Sequence, residues 1–128
     1  MFMNKVILVA EDDSNLLEVY AEILEMNEYK VIKAKDGNEA FVAYKQHLPD
    51  LVFMDVDMPK MNGFEASSRI LEVDPNAKII IISGYTDMNK ADTALQNKII
   101  SVISKPMNLD SLLGAARKFS NHVSMKYN

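Results

Sequence analysis

The chain has 128 residues, a formal net charge of -4 and no cysteine. This length is typical of one domain that buries about two-thirds of the surface exposed by its unfolded form, so neither a disulfide nor a structural metal is needed for stability. An acidic chain without clustered Lys and Arg is not expected to bind nucleic acid directly. Because no apolar run approaches the length of a membrane span or a signal-peptide core, we predict a soluble, cytoplasmic protein without membrane contact.

Short apolar or alternating runs follow one another along the chain, separated by longer segments of helical period. The predicted strands are residues 6–9, 29–34, 51–54, 78–82 and 99–103. The predicted helices are residues 14–27, a segment from the Asp36-Gly37 turn to 48, and residues 64–73, 87–97 and 109–119. Ser14 is the expected N-cap of the first helix, and residues 16/17, 20 and 23/24 are its expected inward positions. The helix over 87–97 has the weakest apolar face and should be among the less stable elements.

Five strands that alternate with five helices predict an α/β fold, a doubly wound five-stranded parallel sheet with helices on both faces. We expect a single domain over 1–128, with its core at about 5–119 and a frayed tail over 120–128. In such sheets, ligands bind in the crevice outside the carboxyl ends of the strands. The residues that follow the strands are therefore the first candidates for chemistry.

Polar side chains follow four of the five predicted strands. They are Glu11-Asp12 after the first, Asp55 after the third, Ser83 after the fourth and Ser104-Lys105-Pro106 after the fifth. Each has an ordinary structural explanation: Asp55 and Asp57 as turn formers, the acidic run as a helix N-terminus, Ser83 bonded to backbone and Lys105 as surface charge. Together, however, carboxylates from neighbouring strands would repel one another unless a cation lies between them.

Mg²⁺ fits this requirement, because it binds one or two carboxylates, keeps several waters and completes its shell with a phosphate oxygen. Zinc is disfavoured by the absence of Cys and by the wide separation of His47 and His122. Asp55 would then be the nucleophile, Ser83 a hydrogen-bond donor to a phosphoryl oxygen and Lys105 a cation that neutralises another. This set of groups is suited to phosphoryl transfer onto a carboxylate.

With these residues in place, the sequence closely resembles the response-regulator receiver family of two-component signalling. The resemblance covers residues 5 to about 119 and rests on four ordered motifs, at 9–13, 51–59 with Asn62-Gly63, 82–84 and 104–106. It implies that Asp55 accepts a phosphoryl group from a sensor histidine kinase or phosphotransfer protein, and that the output is a contact with a downstream protein target or with an output domain outside this sequence. The protein would be no enzyme beyond the self-catalysed phosphorylation and dephosphorylation of its own aspartate.

The resemblance also assigns roles to the other motif residues. Glu11 and Asp12 correspond to the acidic pair that binds Mg²⁺, the backbone carbonyl of Asp57 to a further metal ligand, and Ser83 and Lys105 to the active-site hydroxyl and lysine. Pro106 would supply the family's cis proline after the lysine. The residues two past the phospho-acceptor and two past the hydroxyl, Asp57 and Tyr85, would set the lifetime of the phosphoryl group.

Val102 departs from the family pattern, which usually has Tyr or Phe three residues before the lysine. An output route through that ring is therefore in doubt, and Tyr85 is a candidate substitute. The absence of an output domain leaves two alternatives, a stand-alone receiver or one part of a longer chain.

Two other classes of protein share some of these features. A haloacid-dehalogenase type aspartyl-phosphate phosphohydrolase also has a strand ending in Asp-x-Asp, as at Asp55 and Asp57, with a later Ser/Thr and Lys. Such enzymes, however, take further metal carboxylates from after the lysine, where this chain has only Asp110 before its tail. A flavodoxin-like nucleotide or flavin binder would need a glycine-rich phosphate loop after the first strand, which is missing here.

Overall fold

The computed structural model describes residues 4–84 and 90–120 of the chain. Strands and helices alternate strictly within these ranges. The strands are β1 (Val6–Ala10), β2 (Lys30–Ala34), β3 (Leu51–Asp55), β4 (Ile79–Ser83) and β5 (Ser101–Ser104). The helices are α1 (Ser14–Met26), α2 (Gly37–His47), α3 (Gly63–Val73), α4 (Thr93–Lys98) and α5 (Leu109–Phe119). None of the helices in the described ranges is long and apolar enough to cross a membrane.

The five strands form one sheet in the order β2-β1-β3-β4-β5, and every neighbouring pair is parallel. The predicted doubly wound α/β fold is therefore confirmed. The chain winds outward in one direction through β2 and in the other through β4 and β5, so the direction changes between β1 and β3. A crevice opens at this switch point, at the carboxyl ends of the strands.

Each face of the sheet carries its own apolar core. Ile7 and Val9 pack on one face with residues of α1 and α5, while Leu8 and Ala10 pack on the other with residues of α2, α3 and α4. Alternate residues of a strand point to opposite faces, so a strand covered on both sides is a continuous apolar run. β3 and β4 show this clearly, since all of their residues are buried.

An Asp or Asn side chain caps the N-terminus of every helix in the described ranges. The caps are Asp13, Asp36, Asn62, Asp92 and Asn108. The prediction of Ser14 as the first cap was wrong by one residue. Asp13 has the extended backbone that an N-cap requires, and its carboxylate accepts hydrogen bonds from the N–H groups of Asn15 and Leu16.

The fourth helix is shorter than predicted. It was expected over 87–97, but α4 begins at Thr93, because the Asp92 side chain caps it by accepting the N–H of Leu95 at 2.8 Å. Residues 90–92 precede the helix, and 87–89 lie outside the described residues, as does Tyr85. Of the tail predicted over 120–128, Ser120 is the buried C-cap of α5, and 121–128 lie outside the described residues. Ile99 is the C-cap of α4, so the fifth strand also begins later than predicted, at Ser101.

Candidate functional site

Asp55 ends β3 at the switch point of the sheet. Its side chain is almost fully buried, with 1% of the residue exposed. β3 lies between β1 and β4, and the N–H of Val56 continues the ladder by donating to the carbonyl of Ile82 at 3.2 Å. β3 pairs with β1 up to Met54 and with β4 through Asp55, so the backbone that carries the carboxylate is fixed within the crevice.

Glu11 and Asp12 approach Asp55 from the end of β1. The N–H of Glu11 donates to the carbonyl of Ala34 at 3.0 Å, which extends the pairing of β1 and β2 to the site. The Glu11 side chain is buried and accepts the N–H of Asp13 at 3.0 Å, while Asp12 is exposed. One carboxylate oxygen from each of Glu11, Asp12 and Asp55 lies within 4.8 Å of the others. The acidic cluster predicted from the strand ends is confirmed.

Lys105 supplies the positive charge on the other side of Asp55. Its Nζ lies 2.6 Å from Oδ1 of Asp55, and its side chain is about one-third exposed, at 35%. The backbone N–H of Lys105 donates to the carbonyl of Ser83 at 2.9 Å, so the pairing of β4 with β5 fixes the root of this side chain. The Lys105-Pro106 peptide bond is cis, as the resemblance implied.

Burial and mutual repulsion shift the titration of these groups. Burial raises the pKa of Glu11 to about 7, and the nearby charge of Asp55 adds to the shift, against the hydrogen bond from the Asp13 N–H. Burial also raises the pKa of Asp55, although the Lys105 ammonium opposes the change. For Lys105, burial lowers the pKa, but Asp55 and Glu11 outweigh it and the net shift is upward. The crevice therefore holds more negative charge than one lysine balances.

This donor set fits a magnesium ion. The Asp57 N–H and the Glu11 side chain lie close to the buried Asp55 carboxylate, but within the described ranges neither carboxylate oxygen receives a well-aligned hydrogen bond beyond the Lys105 ion pair. A buried carboxylate oxygen without a donor is unfavourable unless a cation or water satisfies it. Three carboxylates close together are hard oxygen ligands of the kind that Mg²⁺ binds. Glu11, Asp12 and Asp55 are the residues that would hold it.

Two further predicted site residues, Ser83 and Asp57, lie at the same edge of the sheet, and the Asp57 backbone is close to the Asp55 carboxylate. Ser83 ends β4 and is buried, but its hydroxyl donates to the carbonyl of Gly84 at 2.8 Å. This is the backbone-bonded arrangement that was the ordinary explanation for a serine at a strand end. Asp57 has an exposed side chain and lies in the loop between β3 and α3. Their roles toward a phosphoryl group stay predictions.

An apolar groove of about 610 Å³ adjoins the site between α1 and the segment from β5 to α5. Its lining consists of Glu11, Leu16, Val19, Tyr20 and residues 105–109. Sequence analysis missed this surface and placed position 16 on the inward face of α1, whereas Leu16 is 41% and Val19 is 45% exposed. Val19 is the signal that could have revealed it, because it lies off the helical stripe that packs on the sheet.

Comparison with known proteins agrees with this arrangement. The sequence model of the response regulator receiver domain family matches residues 7–117. The chain therefore belongs to the receiver family, and it is a receiver domain of the phospho-accepting type found in two-component response regulators. The alternative of a haloacid-dehalogenase type phosphohydrolase finds no support.

Three relatives match this chain over almost their whole length. The chain is 34% identical over 116 residues to the chemotaxis protein CheY of Bacillus subtilis, covering 90% of this chain and 97% of the relative. A CheY-like receiver domain protein of Methanospirillum hungatei superposes with a TM-score of 0.86 at 25% identity, covering 97% and 99% of the two chains. The response regulator TrrA of Thermotoga maritima, solved in complex with Mg²⁺ and BeF, gives 0.79 at 29% identity, covering 90% and 98%.

Proposed function

We propose that this receiver accepts a phosphoryl group on Asp55 in a reaction that needs Mg²⁺ held by Glu11, Asp12 and Asp55, with the Asp57 backbone carbonyl as a further ligand. The observation that carries the proposal is the buried Asp55 carboxylate, which lies in an acidic cluster, pairs with Lys105 and receives no other well-aligned hydrogen bond in the described ranges. The similar protein TrrA was solved in complex with Mg²⁺ and BeF, which supports Mg²⁺ as the cofactor proposed here. Phosphorylation would then change the contacts of the domain with a protein target or an attached output domain.

The proposed chemistry is an in-line displacement at phosphorus. An Asp55 oxygen attacks the phosphorus of a phosphohistidine, the phosphorus–nitrogen bond breaks, and the imidazole leaves with a proton from solvent. When bound, Mg²⁺ supplies charge that offsets the repulsion between carboxylate and phosphate. Lys105 is placed to neutralise a phosphoryl oxygen, and Ser83 donates to another once its hydroxyl turns away from the Gly84 carbonyl.

The proposed function differs from enzymatic turnover because each chain takes up a single phosphoryl group. Receiver domains are signalling modules, and we propose that the only covalent chemistry of this chain is on its own aspartate. Incubation with a small phosphodonor such as acetyl phosphate and Mg²⁺ should yield one phosphoryl group per chain by intact-protein mass spectrometry. Asp55→Asn should take up none. Steady release of phosphate over many turnovers, without a labile phosphoprotein, would instead indicate a phosphohydrolase.

The apolar groove between α1 and α5 is the proposed docking surface for the donor, a sensor histidine kinase or phosphotransfer protein. Its lining includes Glu11 and Lys105, two residues of the phosphorylation site, so a protein seated there has direct access to Asp55. The exposed side chains of Leu16, Val19 and Leu109 offer an apolar surface to such a partner. A small phosphodonor such as acetyl phosphate does not need this surface. The docking proposal can therefore be tested separately from the phosphorylation of Asp55.

Val19→Asp tests the docking surface. We expect phosphotransfer from the donor protein to slow by about tenfold or more, because a carboxylate would be buried in an apolar interface. Uptake from acetyl phosphate should remain within about twofold of wild type. Val42→Asp on α2 is a matched control, since Val42 is exposed to a similar degree, 41% against 45%, and does not line the groove. Equal loss in both variants would exclude the groove as the docking surface.

A further inference from the structure

The loop between β3 and α3 (residues 56–62) carries Asp57 and lies against the first turn of α2. Gly37 is the first residue of α2, and a methyl group built on it would overlap the carbonyl oxygen of Met61. The same methyl carbon would lie 2.7 Å from the Met61 carbonyl carbon and 2.8 Å from its Cβ. Most of these atoms belong to the backbone, so a side-chain rotation does not relieve the overlap. Glycine at position 37 is therefore what permits the loop to lie this close to α2.

A second contact joins the same two segments. Lys60 Nζ lies 3.6 Å from Oδ2 of Asp36, the N-cap of α2, and the Asp36 side chain is only 7% exposed. Its other oxygen, Oδ1, accepts the N–H of Glu39 at 2.8 Å. Lys60 also has a left-handed backbone, with φ 69°, which a residue with a side chain adopts only when its surroundings hold it there. The loop is thus held against α2 by a backbone contact and an ion pair.

Backbone hydrogen bonds close the loop that carries Asp57 at its base and tighten it near Met61. The carbonyl of Val56 accepts the N–H groups of both Met58 and Gly63, at 3.1 and 2.9 Å, which closes the loop at its base. The N–H of Met61 donates to the carbonyl of Pro59 at 2.7 Å. With the base fixed to β4 through Val56, a displacement of Met61 is taken up by the residues between, and these include Asp57.

We propose that Gly37 is a positioning residue for the magnesium site, which it serves by setting the location of the β3–α3 loop and hence of the Asp57 backbone carbonyl. This inference rests on the proposed function, in which that carbonyl is a metal ligand. Gly37 contacts neither metal nor phosphoryl group and acts through Met61. Residues that orient metal ligands in this indirect way typically change metal affinity by about tenfold or more when they are substituted.

Gly37→Ala is the principal test, with Gly114→Ala on α5 as a matched control. Both replace a helical glycine by a residue of higher helix propensity, but a methyl group at position 114 meets no atom within 4 Å. Mg²⁺ affinity is measured by titration of amide chemical shifts at a temperature where each protein is fully folded. We expect Gly37→Ala to bind Mg²⁺ about tenfold more weakly and Gly114→Ala to bind it as wild type does. In the absence of metal, hydrogen exchange of the Gly63 amide should be faster than in wild type for Gly37→Ala and unchanged for Gly114→Ala.

The outcomes separate this inference from the function on which it rests. If wild type does not bind Mg²⁺, the proposed function fails. If wild type binds it and folded Gly37→Ala binds it equally well, Gly37 has only a structural role and the inference is overturned. Lys60→Ala, at a side chain that is 74% exposed, decides the matter if Gly37→Ala does not fold. The exposed ion pair holds the loop only weakly, so Mg²⁺ affinity should fall by about twofold, even though loss of the lysine charge alone would favour a cation; an unchanged or higher affinity would overturn the inference.

Discussion

Asp55, Glu11 and Lys105 show how single residues acquire function from their position at strand ends. An aspartate after an apolar run can be a turn former, and only the residues that follow the neighbouring strands suggest otherwise. The structure places one oxygen each from Glu11, Asp12 and Asp55 within 4.8 Å of the others and Lys105 Nζ 2.6 Å from Asp55. These residues could be predicted because parallel strands bring their carboxyl ends to one edge.

Other residue-scale features could not be read from the pattern. The first cap was assigned to Ser14 rather than Asp13, because both residue types cap helices and only the backbone conformation decides between them. The close approach of Gly37 to Met61 joins segments that are distant in sequence, and no local signal marks it.

The titration of Glu11 predicts how the stability of the metal-free protein depends on pH. Burial raises its folded-state pKa from the ordinary 4.5 to about 7, so between these values the folded state binds more protons than the unfolded state. The free energy of unfolding should therefore fall as pH rises from about 5 to 8, by on the order of 2 kcal/mol.

Urea unfolding across this pH range, in the presence of chelator, measures the effect. Glu11→Gln should remove most of the decrease in the free energy of unfolding with pH. The remaining decrease is the part that the raised pKa of Asp55 contributes in the same direction. Glu22→Gln, at an exposed glutamate on α1, should leave the slope unchanged. A wild-type stability that is constant or increases from pH 5 to 8 would contradict the assignment.

At the scale of elements, the existence of all five strands and helices followed from hydrophobic period, whereas several boundaries did not. β3 and β4 were predicted closely, because a strand buried on both faces is a continuous apolar run. α4 was predicted to begin too early in the chain, since it begins at Thr93. Ala91 is buried just before the helix, and its apolar character extended the helical pattern to positions before Thr93. The short α4 buries one residue, Leu95, within the helix, which agrees with the expectation of a less stable element.

We expect α4, β5 and α5 to respond to phosphorylation, since Ser83 and Lys105 lie at the ends of β4 and β5 that lead into these elements. The hypothesis is that the phosphoryl group biases an existing equilibrium between two conformations. Amide hydrogen exchange with and without Mg²⁺ and beryllofluoride should show altered protection over residues 92–119. Asp55→Asn under the same conditions should show no change. Altered exchange confined to α1 would contradict the hypothesis.

The whole molecule follows from alternation of strands and helices together with right-handed crossovers, which leave few ways to order five parallel strands. The observed order β2-β1-β3-β4-β5 places β1 and β3 side by side, so their acidic ends meet. The fold determines less about how phosphorylation is signalled to a partner. Val102 stands where receivers usually have an aromatic residue and is 44% exposed on the edge strand β5, so this position offers no ring to turn inward. Tyr85, the proposed substitute, lies outside the described residues.

The central claim is that Asp55 is the phospho-acceptor and that its phosphorylation needs a divalent ion. The most direct measurement is mass-spectrometric mapping of the phosphoryl group after reaction with acetyl phosphate, with Mg²⁺ and with excess chelator. We predict a single phosphoryl group on Asp55 with Mg²⁺, its loss in chelator, and none on the Asp55→Asn chain, because carboxylate and phosphate repel one another without the metal. Undiminished phosphorylation in excess chelator, or a phosphoryl group on a different residue, would contradict the claim.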